Sequence, residues 1–170
     1  MEKRTCAYLD IETTGLSPAC ADLTVVGICL EDDQGSGEII QLVGEEICAS
    51  KLLQIFKKVK ELFTYNGSRF DLPFIQSKLG INLEKRCRHT DLMYICWEKN
   101  LYGGFKEVER QLCIDRELAG IDGREAVTLW YNYINYGDEK ALQTLLKYNK
   151  EDVTNLRILR QKLNATNNVF

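Results

Sequence analysis

Only two prolines, Pro18 and Pro73, and a single histidine, His89, occur among the 170 residues. No linker, internal repeat or compositional break interrupts the chain, and its length is that of one ordinary domain. Nor is there a run of about 18 apolar residues, which excludes a membrane-spanning helix. Met1 to Cys6 lead straight into a strand-like run without a signal-peptide apolar core, so a cytoplasmic location is expected. The seven cysteines are odd in number and scattered, with no C-x-x-C pair and no zinc spacing. Reduced, mostly buried thiols are expected of all seven. Gly35-Ser36-Gly37 and Gly103-Gly104 match neither phosphate-loop pattern, so no nucleotide-cofactor loop is expected. A basic excess is missing too: 22 basic against 25 acidic residues give a net charge of −3. Proteins that grip duplex DNA through many phosphates usually carry such an excess. A nucleic-acid partner here would need a local basic patch or bound metal to supply the positive charge.

What is present is globular. Apolar residues make up 45% and charged residues 28%, and a chain of this length buries roughly 70% of its unfolded surface. Arg4 to Asp10 reads as a first strand, Leu23 to Glu31 as a second and Glu38 to Val43 as a third, reached through a hairpin-like turn at Asp32–Gly37. Leu52, Ile55, Phe56 and Val59 recur at helical spacing and predict a helix from about Glu45 to Glu61. Leu62 to Tyr65 is a short apolar strand, followed by a turn at Asn66-Gly67, a helix around Pro73 to Leu79 and a strand near Arg86 to Thr90. From Asp91 the chain reads as helical almost to its end. Ala126, Val127, Trp130, Tyr133 and Ile134 form one apolar face. Leu142, Leu145, Val153, Leu156, Leu159 and Leu163 form another, on a long last helix. The expectation is an α/β domain over residues 1–163, with an antiparallel three-strand meander plus parallel strands, flanking helices and a helical C-terminal half. Residues 164–170 read as a frayed tail.

Several carboxylates stand out against this frame. Asp10 and Glu12, two apart at the end of the first strand, point to one face while Ile11 points to the other. Two like charges so close repel, and their desolvation is costly; a divalent cation between them removes both penalties. The alternative is a solvent-exposed strand end, with Asp10 and Thr13 serving the Thr13-Thr14-Gly15 turn. Asp71 stands between a strand and a helix, where a helix N-cap is the simplest role and a carboxylate facing a cleft is a compatible one. Tyr148 and Asp152, four apart on the last helix, share a face beside the apolar stripe. A carboxylate so placed needs an arginine, a hydrogen-bonded polar partner or a metal. Four carboxylates brought together from distant parts of the chain would match two hard cations, Mg²⁺ or Mn²⁺, clamping a phosphoryl group.

The segment Tyr8-Leu9-Asp10-Ile11-Glu12-Thr13-Thr14-Gly15-Leu16 resembles the first motif of the DEDD 3′→5′ exonucleases, which have a ribonuclease-H-like fold. Asn66-Gly67-Ser68-Arg69-Phe70-Asp71 resembles the second, and Tyr148-Asn149-Lys150-Glu151-Asp152 the third in its tyrosine variant. The three occur in the family's order. Gly103 to Glu109, Ala126 to Trp130 and Gly137-Asp138 are similar to the YprB-like ribonuclease-H-like subgroup, with Phe105 in place of leucine and Cys113 in place of glycine. The resemblance implies hydrolysis of single-stranded DNA or RNA from 3′ ends with two Mg²⁺ or Mn²⁺ ions, releasing nucleoside 5′-monophosphates. It implies that Asp10, Glu12, Asp71 and Asp152 hold the metals and that Tyr148 orients the nucleophile. Thr13, Gly15 and Leu16 would receive the terminal nucleotide, with Asn66 and Phe70 nearby. Core packing is the alternative for Leu16 and Phe70, and solvated charge for Lys106 and Arg110. His89, outside the third motif, reads as a neutral residue at a strand end. A binding or docking module with the same fold and little turnover, and an endonuclease using the same metals, remain open.

Overall fold

Alternation along one strand organises the molecule. In the computed structural model, which describes residues 5–165, strand β1 (Thr5–Thr13) sends Ala7, Leu9 and Ile11 into one apolar core and Tyr8 into another on the opposite face. Asp10 and Glu12 share the second face with Tyr8, as a period of two requires. β1 is longer than expected at its end, so both carboxylates lie within the strand, and its pairing shifts register between Glu12 and Thr13. Such a bulge re-aims the side chains beside it.

β2 (Leu23–Glu31) pairs antiparallel with β1, and β3 (Gly37–Val43) antiparallel with β2. β4 (Val59–Thr64) runs parallel to β1, and β5 (Arg88–Asp91) parallel to β4. The sheet order is β3-β2-β1-β4-β5, so the expected meander plus parallel strands is what forms, with β1 at its centre. Helices α1 (Ala49–Phe56) and α2 (Asp71–Leu79) bury Leu52, Phe56, Leu72, Phe74 and Ile75 against the Leu9 face. The other face is covered by α3 (Leu92–Glu98), α4 (Phe105–Gln111) and α6 (Glu139–Ala165) through Leu92, Cys96, Val108, Val153, Leu156 and Leu159. α5 (Gly123–Tyr136) packs on α6, placing Ala126 beside Leu145, Tyr148 and Val25 of β2.

Four expectations need correction. The helix predicted to Glu61 ends at Phe56, because Val59 starts β4; Val59 fits both a helical period and a strand, and parallel pairing with Thr5 decides it. Ile134 is half exposed rather than part of the packed face, and Leu129 packs there in its place. Only Cys29, Cys87 and Cys96 of the seven free cysteines are buried, while Cys20 and Cys113 are exposed. α6 runs through Asn164 and Ala165, so the expected tail cannot begin at residue 164; its remainder, like Arg4, lies outside the described residues. Cys113, placed where the resemblance implies glycine, has a left-handed φ of 51°, the conformation in which glycine carries no Cβ penalty.

Candidate active site

Asp10, Glu12 and Asp152 each present a carboxylate oxygen, and these oxygens lie within 4.8 Å of one another. β1 supplies the first two by alternation, and α6 crosses the same face to bring the third. The crossing is seated by Asn149, which is wholly buried opposite Gly27 on β2. Its side-chain amide donates to the backbone carbonyl and to Oδ2 of Asp10, both at 3.3 Å, while Gln41 donates to its Oδ1 at 3.0 Å. Glu12 Oε1 is buried without a hydrogen-bond partner. A naked carboxylate oxygen there is costly, and a hard cation is the partner that its oxygen neighbours would share.

Asp71 stands outside this trio. It is the first residue of α2 rather than the N-cap, a position that Phe70 holds. Its carboxylate instead accepts the Ile11 N–H at 3.1 Å, tying the helix start to β1. The loop before it is fixed by Asp91, which the sequence reading did not single out. Asp91 accepts the N–H of Asn66 at 2.7 Å and both the N–H and hydroxyl of Ser68, at 3.0 and 2.7 Å, besides capping α3 through Met93 N–H. Asn66 takes a left-handed φ of 61°, and a Cβ on Gly67 would lie 2.3 Å from Thr64 Oγ1. The turn therefore needs these two residue types for backbone reasons. His89 sits at the strand end, its Nε2 2.9 Å from Thr64 Oγ1, with burial lowering its pKa.

Asp152 also has an arginine. Arg116 Nη2 donates to Asp152 Oδ1 at 2.5 Å, and the same guanidinium forks onto Glu109 through Nε at 2.8 Å and Nη2 at 2.7 Å. Of the open alternatives for Asp152 the arginine partner is thus present, while its oxygen also stands among those of Asp10 and Glu12 that could hold a metal ion. Nothing in the sequence linked Glu109 and Arg116 to residue 152; only α4 and the following loop docking on α6 joins them. Tyr148 is buried, with the Lys106 ammonium 4.8 Å and the Arg116 guanidinium 5.7 Å from its ring centroid. Arg110, by contrast, pairs with Glu107 at the surface.

Electrostatics follow from this crowding. Burial first, then Asp152 and Glu12, push the Asp10 carboxyl well above the usual range. Glu12 is raised by burial and by Asp152 and Asp71. Asp71 is pushed up to about 7, mainly by burial. Asp152 rises to about 6, burial outweighing the opposing pull of Arg116. Burial and the same carboxylates raise the Tyr148 phenol far above its ordinary value, so it keeps its proton at any physiological pH.

A cavity of about 570 Å³ opens onto the trio, lined also by Thr13, Gly15, Leu16, Phe70 and Tyr148. Leu16 is 87% exposed at its rim, which excludes core packing for it; Phe70 both lines the cavity and packs on Phe74 at 5.6 Å. Neither Asn66 nor Asp71 is among the lining residues, and Asn66 acts through its backbone. The far wall is the start of α5, where Asp122 accepts the N–H groups of Arg124 and Glu125 and joins the lining with Arg124. A slightly larger cavity, about 620 Å³, lies against Arg116, but its Lys147 and Glu117 pair with each other and Glu151 accepts two backbone N–H groups.

The fold recurs in solved nucleases and polymerases. The family B DNA polymerase of the archaeon Pyrobaculum calidifontis superposes with a TM-score of 0.71 at 17% identity, over 94% of this chain and 24% of that one. Brucella melitensis NrnC with bound Mg²⁺ gives 0.64 at 22% identity, over 94% and 72% of the two chains. A product-bound exonuclease I gives 0.52 at 14% identity, over 76% and 43%. At such identities the likeness is one of fold, and this chain spans about a quarter of the polymerase's length. No curated protein sequence gives a significant match. A sequence profile of the RNase H superfamily, however, matches residues 7–164, from near the start of β1 to the last turn of α6, and the chain belongs to that superfamily.

Proposed function

We propose that this protein is a metal-dependent 3′→5′ exonuclease of single-stranded DNA or RNA. The observation that carries the reading is the convergence of Asp10, Glu12 and Asp152 oxygens at the floor of an open cavity, with Glu12 Oε1 lacking any other partner. Among the lining residues four are acidic and only Arg124 is basic. Such a cleft repels a phosphodiester unless cations are bound in it. Two Mg²⁺ or Mn²⁺ ions would neutralise the scissile phosphate, acidify the attacking water and offset charge on the leaving oxygen. Asp10, Glu12 and Asp152 would hold them directly and Asp71 through water. Neighbours support the assignment of ion and substrate class, since NrnC has been solved with bound Mg²⁺ and with bound pGG.

The elements from β1 to the end of α6 would act as one exonuclease domain. The protonated Tyr148 hydroxyl donates to and orients the attacking water; with its pKa so raised it is no general base. Leu16 projects from the rim where it can wedge against the terminal base, and Phe70 offers a second apolar surface, with Thr13 and Gly15 between them. Apolar contact to a base face reads no sequence, so binding tolerates any base. Attack on the last linkage releases a nucleoside 5′-monophosphate. Seven unpaired thiols suit the reducing cytoplasm.

A 5′-labelled oligonucleotide, as DNA and as RNA, incubated with Mn²⁺ should shorten in single steps from its 3′ end. Asp10→Ala should abolish the ladder; robust cleavage in that variant would overturn the assignment. Internal cuts would favour an endonuclease. The Arg116 contact to Asp152 favours a second reading, a binding module with little turnover, for which the oligonucleotide would be bound and left intact.

A further inference from the structure

Glu109 and Arg116 form a buried ion pair beside the candidate site that the proposed chemistry does not use. Their side chains are 2% and 5% exposed. Glu109 accepts the two guanidinium bonds and a third from the Asn155 amide at 2.7 Å, and Asn155 is itself anchored to the Asp115 carbonyl at 3.1 Å. Arg116 Nη1 is left without a hydrogen bond, 3.8 Å from Glu151 Oε2. The guanidinium is therefore not placed so as to satisfy all its donors. It is placed so that Nη2 reaches Glu109 and Asp152 together.

Charge explains why both members are needed. A lone guanidinium at Asp152 would fix that carboxylate, but it would also compete with a cation for the same negative charge. A buried arginine without a counter-ion is costly in any case. With Glu109 present the pair is neutral, and Arg116 meets Asp152 as an oriented donor. Asp10, Glu12, Asp71 and Asp152 then keep the four charges that two divalent ions match. Groups that hydrogen-bond to metal-ligating carboxylates set ligand orientation in this way.

We propose that Glu109 is a positioning residue: by neutralising Arg116 it lets the guanidinium lock the orientation of Asp152 while leaving that carboxylate's charge to a divalent cation. The inference rests on the metal-site reading above and deepens it. It is tested on the full chain, without substrate, by titrating Mn²⁺ and following free ion by electron paramagnetic resonance, with a melting curve for each variant. Glu109→Gln keeps the shape and one acceptor oxygen, loses the guanidinium bond at the other, strands a positive charge at Asp152, and should weaken Mn²⁺ binding about 10-fold or more. The double variant Glu109→Gln/Arg116→Gln removes both charges together with the lock on Asp152, and should bind more tightly than Glu109→Gln but less tightly than wild type. Arg116→Gln alone leaves the Glu109 charge and should bind at least as tightly as the double variant. A purely structural staple would shift melting temperatures and leave the affinity of every folded variant equal. Equal affinity of Glu109→Gln and wild type, or a double variant as weak as Glu109→Gln, overturns the proposal. If Glu109→Gln does not fold, Arg116→Gln binding more weakly than the double variant does so. Absence of Mn²⁺ binding in the wild type would instead defeat the metal site itself, and this inference with it.

Discussion

Asp10 and Glu12 show how much chemistry alternation alone can place. Two residues apart on a strand, they share a face whatever the rest of the chain does. What makes them a candidate metal site is Asp152, delivered to within 4.8 Å by a different element. Tyr148, four residues before Asp152, follows automatically onto the same helical face. The orienting-donor role proposed for it carries a test. Tyr148→Phe should fold normally and lower the single-turnover rate by roughly 10- to 100-fold, below the 10²–10⁴ typical of a true acid–base group. Asp152→Asn should cost far more, and equal losses in the two variants would contradict the donor role. Arg116, an equally important neighbour of Asp152, was invisible in the sequence because no local pattern marks it. Cys113 is the reverse case: its left-handed φ accounts for the glycine that the resemblance implies there.

Among the elements, β1 and α6 matter most, and their contact is governed by a missing side chain. Gly27 lies directly opposite Asp10 in the β1–β2 register. A Cβ there would fall 2.1 Å from Asn149 Oδ1 and 2.7 Å from its Cγ. Asn149 is short, wholly buried and bound to both Asp10 and Gln41, so it cannot swing aside cheaply. Gly27→Ala should thus destabilise the protein by about 1–3 kcal/mol through overpacking. It should also depress activity more than its stability loss explains, because the displaced helix carries Asp152. Denaturant melts alongside rate measurements on the folded fraction separate the two effects; unchanged activity would mean that α6 can adjust without moving its carboxylate. The end of α1 is likewise decided by a neighbouring element. Val59 satisfies two periodicities at once, and only its partner strand chooses between them.

For the whole molecule, the concentration of buried carboxylates sets the response to pH. Asp71 at about 7 and Asp152 at about 6 hold protons more tightly than in the unfolded chain, where carboxyls titrate near ~4. The folded state binds more protons than the unfolded one between those values, so stability falls as pH rises through them. The stabilisation from protonation is complete below about pH 4 and lost by pH 7–8. In EDTA the melting temperature should therefore drop between pH 5 and pH 8, with a shallower slope in Asp71→Asn. Added Mn²⁺ should raise it, and more at pH 8 than at pH 5, because binding to the folded state alone stabilises it by mass action. A melting temperature that climbs over that range without metal would contradict the burial of these groups.

By itself the sequence determined the sheet's strand pattern, the shared face of Asp10 and Glu12, the helical spacing of Tyr148 and Asp152 and the ordered motifs that pointed to the superfamily. These are readable because they depend on repeat lengths of two and 3.6 residues and on short local segments. Tertiary structure alone decided that Asp71 binds the Ile11 N–H, that Asp91 holds the loop before it, and that Glu109 and Arg116 stand beside Asp152. Each of these joins residues at least 20 positions apart or crosses between elements. Such contacts arise from the packing of completed elements, and a linear pattern does not encode that packing locally.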